Sequence, residues 1–243
     1  MDTSSFYHYI CDRPLLSFCT SLLCILFTCN FFLTECVNKV GLVIANTLIT
    51  NHYVWNLVTC CFYEVSVIKL LIDLVLLGLV NHKLYIHSSE QFGLFFIFSI
   101  LACSIGTSTY CFIRFFGTGK EEILIHPMYG FNGIIVSLFT FARQQLKNES
   151  VHALFPQITY HNFPIIFTIL QVIIWTIGLS TLSADMAFTF IGLFFSWSYL
   201  RFYYKYAEDE PLGDKSDDFS FVNMFPEVIN VDHCCSLHYL FLP

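Results

Sequence analysis

Two charged side chains interrupt a stretch that is otherwise strongly apolar. Lys69 and Asp73 lie four residues apart between residues 65 and 80, a spacing that places both on one face of a helix. A charge in the middle of a membrane costs at least about 2.5 kcal/mol on insertion scales, so the pair needs an explanation. One hypothesis is an ion or proton site. The other, which we favour, is a pair whose opposite charges neutralise each other inside a helical bundle.

Polar groups also stand at the start of two later apolar stretches. Gly130-Phe131-Asn132-Gly133 opens one of them. Glycines three residues apart allow two helices to approach closely, and a buried Asn amide needs hydrogen-bond partners. Asp185 opens the other, a position typical of a carboxylate at a helix N-terminus. Taken alone, both segments predict packing and capping.

Apolar spans must position these residues. Of the 243 residues, 56% are hydrophobic and 12% are charged, about half the charge of an average soluble domain. This composition excludes a water-soluble globule and a disordered chain, and it predicts a multi-spanning membrane protein. We predict six spans, over residues 15–34, 65–80, 91–113, 128–142, 164–182 and 184–200. The uncharged but Asn-containing stretch 40–63 predicts an interfacial loop or half-embedded helix.

The distribution of basic residues predicts the orientation. Of the 11 Lys and Arg residues, seven fall on the side of the N-terminus, three fall on the other side and Lys69 lies within a span. Basic residues concentrate on the cytosolic side of membrane proteins, so both termini should be cytosolic. The single glycosylation sequon, Asn148-Glu149-Ser150, would then face the cytosol and stay unmodified.

The composition changes after Tyr206, where an acidic, turn-rich stretch begins. We expect residues 1–206 to form the membrane domain and residues 207–243 to form a mostly disordered cytosolic tail. An aromatic patch within this tail is typical of a short docking motif. Its contact residues would be Phe219, Phe221, Phe225 and Pro226.

Several kinds of site are not expected. The 11 cysteines include no Cys-x-x-Cys pair, and most lie in apolar stretches where cysteine acts as a small hydrophobe. A His-Cys-Cys-x-x-His run between residues 233 and 238 is only a weak metal pattern. The net charge of −7, concentrated in acids near the C-terminus, argues against a nucleic-acid partner. We predict no metal site and no cofactor.

The order of these segments resembles the six-helix rhomboid superfamily. Residues 55–59, Trp-Asn-Leu-Val-Thr, precede the second span, where rhomboids have a similar Trp-Arg-hydrophobic-Thr stretch. Rhomboid proteases carry His-x-x-x-Asn in that span and Gly-x-Ser-Gly at the start of the fourth. Here these positions hold Lys69 and Asp73, and Gly130-Phe131-Asn132-Gly133. The resemblance implies an all-α membrane protein with a six-transmembrane-helix rhomboid-like bundle.

The same resemblance implies that catalytic groups are absent. Asn132 stands in place of the nucleophilic serine, and the sixth span has Phe188 but no histidine where the base would lie. A serine nucleophile needs a base within hydrogen-bond reach, and neither an Asn amide nor a phenyl ring can take these roles. We therefore expect no enzymatic activity. The degenerate rhomboid positions are Lys69, Asp73, Gly130, Asn132, Gly133 and Phe188.

Further segments, across about residues 14–229, resemble the transmembrane protein 115 family. They are Glu64 after Phe-Tyr, Tyr129 before Gly-Phe-Asn-Gly, an Ala-Asp-Met run at 184–186 and the tail stretch 212–221. Residues 230–243 depart from that family. The resemblance implies a non-catalytic, self-associating Golgi membrane protein of retrograde Golgi-to-ER vesicle transport that supports protein glycosylation indirectly. It also implies the Golgi tethering machinery as a partner.

Two alternative functions stay open. One is a substrate-binding rhomboid pseudoprotease in ER quality control, which residence in the ER rather than the Golgi would favour. The other is an ion or proton transporter that uses Lys69 and Asp73. The internal repeats and interrupted helices typical of transporters are not evident in the sequence.

Overall fold

A computed structural model describes residues 14–32, 36–84, 89–146, 149–152, 155–177, 183–206 and 212–224. Nine α-helices lie within these ranges, and three of them are only four or five residues long. The helices are α1 (Pro14–Phe32), α2 (Cys36–Val40), α3 (Asn56–Thr59), α4 (Val67–Lys83), α5 (Ser89–Thr118), α6 (Glu122–Ile125), α7 (Asn132–Gln145), α8 (Phe163–Thr176) and α9 (Ser183–Phe202). A two-stranded antiparallel hairpin, β1 (Ser150–His152) and β2 (Phe155–Thr159), joins α7 to α8.

Each of the six predicted spans overlaps one helix of 14 residues or more within the described residues. By length and apolar composition, one helix of the described residues, Glu90–Thr118, is sufficient to cross a membrane. The helical segments Ser17–Asn30 and Phe163–Thr176 are apolar but shorter. The mostly helical architecture agrees with the sequence, and the number of six membrane crossings stays a prediction.

Helix α7 is the centre of the bundle. Its residues from Asn132 to Arg143 are all buried, and it packs against α4, α5, α8 and α9. At about 1.5 Å per residue its 14 residues extend about 21 Å, less than the roughly 30 Å of a bilayer core. A helix enclosed by four others contacts little lipid, which permits this short length.

Two glycines bring α7 and α9 together. A Cβ atom added to Gly133 would lie 2.7 Å from Cys103 Sγ and 2.8 Å from Phe188 O, and one added to Gly192 would lie 2.9 Å from Gly133 Cα. Ser137 Oγ lies 2.8 Å from Gly133 O and 3.2 Å from Gly192 O, so its hydroxyl donates across the contact. The close approach expected of Gly133 is therefore real, but its counterpart is Gly192.

The stretch 40–63 forms short helical turns instead of one long helix, and its location at a membrane interface stays a prediction. The bends include a π-helical turn (Ala45–Thr50) and a 3-10 turn (Cys60–Phe62). Leu42 N–H donates to Met128 O at 2.7 Å, and Trp55 Nε1 donates to Lys39 O at 3.0 Å. The first bond holds the stretch against the segment that leads into α7, and the second holds it against α2.

Part of the predicted tail packs against the bundle. Residues 212–224 form two 3-10 turns, Asp217–Phe219 and Val222–Met224, in which Phe219 and Met224 are buried. Gly213 N–H donates to Tyr204 O at 2.9 Å. This differs from the expected disordered tail, because two apolar side chains fill the core at the ends of α7 and α9. Residues 207–211 and 225–243 lie outside the described residues.

Candidate ligand-binding cavity

A cavity of about 690 Å³ lies between α4 and α8, beside the first residue of α7. Its lining is mostly apolar, but it includes a set of charged and amide side chains. This polar set is Glu64, Lys69, Asp73, Asn132, Gln171 and Asp185. Three carboxylates and one ammonium group therefore share one space, together with the phenol of Tyr129.

Lys69 forms its ion pair with Asp185, whereas the sequence predicts a pair with Asp73. Lys69 Nζ lies 2.5 Å from Asp185 Oδ2, with side-chain exposures of 35% and 2%. Lys69 and Asp73 share a face of α4, as the spacing predicts, but tertiary packing brings the start of α9 closer to the ammonium group. The expected local pair is therefore replaced by a link between two helices.

Asp73 is left with an unpaired oxygen. Its residue is 2% exposed, and its Oδ2 atom has no hydrogen-bond partner within the described residues. A buried carboxylate oxygen without a partner is costly, because the low-polarity surroundings replace water poorly. Such atoms in native proteins call for a physical explanation, such as a proton or a bound molecule.

Glu64 is a site residue that the span analysis does not identify. It is 1% exposed, and its Oε1 atom accepts a hydrogen bond of 3.0 Å from Phe131 N–H, at the start of α7. The carboxylate therefore satisfies one of the free N–H groups of that helix end. Its second oxygen, Oε2, has no partner within the described residues. A lone acid just before an apolar span was the available signal.

Asn132 lines the cavity as the first residue of α7. Its Oδ1 atom accepts a hydrogen bond of 3.3 Å from Gln171 Nε2 on α8. Gly130, two residues earlier, has φ +147°, and a Cβ atom there would lie 3.1 Å from Asp185 Oδ1. A side chain at Gly130 is therefore disfavoured by both backbone conformation and space.

Five of the six positions matched to rhomboid residues divide into two groups, and the sixth, Gly130, lies in the turn before α7 beside Asp185 and Glu64. Lys69, Asp73 and Asn132 line the cavity. Gly133 and Phe188 lie at the α7–α9 contact instead, where Phe188 is fully buried. Phe188, which the resemblance sets where a rhomboid protease has its base, is therefore a core side chain.

The described half of the predicted docking motif covers the bundle. Phe219 is 4% exposed, its carbonyl accepts a 2.9 Å hydrogen bond from Trp197 Nε1, and the Arg143 guanidinium carbon lies 5.7 Å from its ring centre. Phe221 packs against Trp197, with ring centres 4.9 Å apart. The other two predicted contact residues, Phe225 and Pro226, lie outside the described residues.

Arginine side chains and Asp214 hold this segment in place. Arg143 Nη2 donates to Asn223 O at 2.8 Å, and Arg201 Nη1 donates to Asp214 O at 2.7 Å. Partial burial would raise the pKa of Asp214, but hydrogen bonds from Ser216 and Gln144 and the nearby Arg201 charge outweigh it and lower the pKa. The Asp214 carboxylate is therefore ionised at neutral pH.

The described part of the chain contains no candidate metal-binding cluster. There, no group of three or more His, Cys, Asp or Glu side chains could hold a metal ion. The eight cysteines described there are free thiols. The carboxylates of the cavity therefore do not converge on a single metal position.

Comparisons with known proteins agree with the resemblance found in the sequence. The pattern of the family described as "Eukaryotic integral membrane protein (DUF1751)" matches residues 15–241, so the expected departure of residues 230–243 from the family is wrong for all but the last two of them. The chain is 26% identical over 203 residues to Rhomboid-like protein 19 of Arabidopsis thaliana, covering 82% of this chain and 64% of that protein. It is 26% identical over 189 residues to Transmembrane protein 115 of Homo sapiens, covering 74% and 50%.

A shorter match, 32% identical over 108 residues, joins the chain to Transmembrane protein 115 of Mus musculus and covers 44% of this chain and 29% of that protein. The chain spans between one half and two thirds of the length of the first two relatives. No solved structure matches the chain.

Proposed function

The chain belongs to the eukaryotic integral membrane protein family DUF1751, and from this premise we propose that it is a non-catalytic Golgi membrane protein of retrograde Golgi-to-ER transport. The resemblance to the transmembrane protein 115 family is confirmed by the relatives of that name. Its role in vesicle transport, and indirectly in glycosylation, is carried over from that resemblance. The proposal has two parts, absence of proteolysis and residence in the Golgi, which are tested separately.

The surroundings of Asn132 support the proposed absence of proteolytic activity. Its amide oxygen is bonded to Gln171, and no histidine is among the described residues that line the cavity. Ser137, one turn further along α7, is buried and directs its hydroxyl to the carbonyls of Gly133 and Gly192. A serine without a base within reach is a weak nucleophile.

Proteolysis is tested in liposomes that contain the full chain and a fluorogenic transmembrane substrate. We expect no cleavage by the native chain or by Asn132→Ser, because the second variant restores a hydroxyl but no base. An active rhomboid protease in matched liposomes is the positive control. Cleavage by the native chain that is lost in Ser137→Ala would overturn this part.

Residence is tested with a fluorescent tag on the full chain, expressed near its natural level. We expect the signal to coincide with a Golgi marker and to separate from an ER marker. Removal of the protein should slow the return of a Golgi-to-ER reporter and alter cell-surface glycans. An ER-resident signal would contradict the Golgi role and favour the pseudoprotease alternative, which the open cavity between α4 and α8 also fits.

Orientation is tested through the sequon at Asn148. With both termini in the cytosol, treatment with a glycosidase should leave the mobility of the native chain unchanged. A matched control carries a new sequon in the segment between α5 and α7, which the proposed orientation places in the lumen. Glycan on Asn148 in the native chain would reverse the orientation.

Partners are proposed from the same resemblance. Two differently tagged copies should co-precipitate if the protein self-associates, and the tail should recover components of the Golgi tethering machinery. Because Phe219 is buried, we assign the contact to the partly exposed Phe221 and to the following Phe225 and Pro226. Equal recovery by Phe221→Ala/Phe225→Ala would contradict this docking role.

A further inference from the structure

We propose that the cavity between α4 and α8 binds the ammonium group of a membrane-resident amine, a molecule with a primary ammonium head and an apolar chain. The proposal rests on charge, burial and the shape of the cavity. It does not depend on the Golgi role, since a protein of another compartment with these side chains would have the same site.

The charges that face the cavity do not balance. Among the described residues, these charges are the carboxylates of Glu64, Asp73 and Asp185 and the ammonium group of Lys69. Lys69 and Asp185 neutralise each other at 2.5 Å. Two carboxyl groups remain, on residues that are 1% and 2% exposed. A cation is the complement that this remaining pair lacks.

Each of the two remaining carboxyl groups has a free oxygen that can accept a hydrogen bond. Glu64 Oε2 and Asp73 Oδ2 are buried without partners within the described residues, although both side chains line the cavity. A primary ammonium group has three N–H donors and a positive charge. It can therefore donate to a carboxylate oxygen of Glu64 or Asp73 and supply the positive charge that a neutral ligand lacks.

An ammonium group fits the polar surface better than a metal ion does. No metal-binding group of His, Cys, Asp or Glu exists in the described part of the chain. A metal needs several ligands within about 2–2.6 Å of one point. Ammonium hydrogen bonds extend to about 2.7–2.9 Å and point in three directions, so separated acceptors suit them.

The walls indicate an apolar chain attached to the ammonium group. Ile68 and Ile72 on α4 are 71% and 51% exposed, and Leu170 on α8 is 49% exposed. The two helices each pack on α7, and no close packing between them is seen in the described residues. The mouth of the cavity is therefore flanked by side chains suited to lipid. Its volume of about 690 Å³ lies within the range of small-molecule sites.

The first test measures thermal unfolding of the purified full chain in uncharged detergent at neutral pH. We expect dodecylamine to raise the Tm by about 3–5 °C at saturation, and dodecanol, of the same length, to leave it unchanged. Butylamine should need a far higher concentration for the same shift, because it lacks the apolar chain. Equal shifts from dodecylamine and dodecyltrimethylammonium, which has no N–H donor, would overturn the proposal.

Variants locate the effect. Glu64→Gln/Asp73→Asn keeps the shapes of both side chains and removes both charges, so it should abolish the shift caused by dodecylamine. Glu121→Gln/Glu122→Gln is the matched control, since both of these acids are exposed, and it should keep the full shift. A shift retained in the cavity variant contradicts the site.

A measurement on the native chain keeps the proposal testable if the cavity variant does not fold. A carbodiimide added with bound dodecylamine should couple the amine to Glu64 or Asp73 as an amide, with loss of one water to the reagent. Mass spectrometry of the peptides should then show the amide at these residues. Coupling at exposed acids alone would overturn the proposal.

Protonation is the alternative way in which the two carboxyl groups could be neutralised. In that case the native chain would show no shift with dodecylamine, and its Tm would change with pH in a way that Glu64→Gln/Asp73→Asn removes. That combination of results would refute the amine site. Failure of the Golgi experiments would leave it unaffected.

Discussion

Lys69 Nζ lies 2.5 Å from Asp185 Oδ2 and joins the first turn of α4 to the first turn of α9. The Asp185 side chain is 2% exposed, whereas that of Lys69 is 35% exposed. The pair therefore has one desolvated partner and one partner at the mouth of the cavity. It links α4 to α9 at the end of the bundle where α7 begins.

We predict that Lys69→Met destabilises the protein by removing the cation opposite a buried carboxylate. The cost should lie between the roughly 1 kcal/mol of an exposed pair and the roughly 3–5 kcal/mol of a fully buried one. Equilibrium unfolding in detergent measures it. Lys69→Met/Asp185→Leu should recover most of the loss, because it also removes the charge. Equal loss in the double variant would contradict the pairing.

The close α7–α9 contact predicts that alanine destabilises the protein at Gly192 but not at Gly78 on α4. Gly192→Ala places a methyl group against the Gly133 carbonyl and 2.9 Å from its Cα, which should cost about 1–3 kcal/mol of unfolding free energy. Gly78→Ala is the matched control, since nothing lies within 4 Å of its new Cβ. It should be neutral or stabilising by up to about 1 kcal/mol. Equal destabilisation by both would argue against the close approach.

Arg143 should control the attachment of residues 212–224. Arg143→Gln removes the guanidinium that donates to Asn223 O and lies over the Phe219 ring. We expect faster amide hydrogen exchange and faster protease cleavage in this segment, with the rest of the bundle unchanged. Arg114→Gln, an arginine near Tyr110 on α5, is the control and should have no effect on the segment.

Acid should loosen the same segment through Asp214. Its pKa is lowered in the folded protein, since hydrogen bonds from Ser216 and Gln144 and the Arg201 charge exceed the opposing effect of burial. A lowered folded-state pKa adds stability above the ordinary Asp pKa of about 3.9, and this stability is lost as the pH falls through the folded value. Protease sensitivity of residues 212–224 should therefore increase below about pH 4.

Asp214→Asn supplies the control for the acid effect. The variant should be more protease-sensitive than the native chain at neutral pH and should lose the acid-dependent step in this range. A step of unchanged size in Asp214→Asn would assign the acid effect to another group.

The long helices could be predicted from the sequence because apolar runs reveal themselves residue by residue. Charges inside such runs are equally visible, which is why the sequence predicts Lys69 and Asp73 as site residues. Gln171 is not predicted, because its own segment gives no signal, and Glu64 is noted only as part of a family motif and not as a site residue. Glu64 joins Phe131 across 67 residues of chain, and no local pattern records such a contact.

In residues 212–224 a local pattern is present but predicts the wrong structure. Acidic and turn-forming residues around Phe219 are typical of a disordered linker with a docking motif. Packing overrides that pattern here, since Trp197 and Arg143 meet backbone carbonyls of the segment and the bundle encloses Phe219 and Met224. Contacts of this kind depend on side chains that are distant in the sequence.

By itself, the sequence determined that the chain is a helical membrane protein of rhomboid-like order, because hydrophobic runs and local motifs are properties of neighbouring residues. The tertiary structure alone decided that Lys69 pairs with Asp185, that Gly133 meets Gly192 and that two buried carboxyl groups face one cavity. The physical reason is that electrostatic and packing interactions depend on distance in space and not on separation along the chain. A charge first visible as an interruption of an apolar span thereby became one side of an interhelical ion pair.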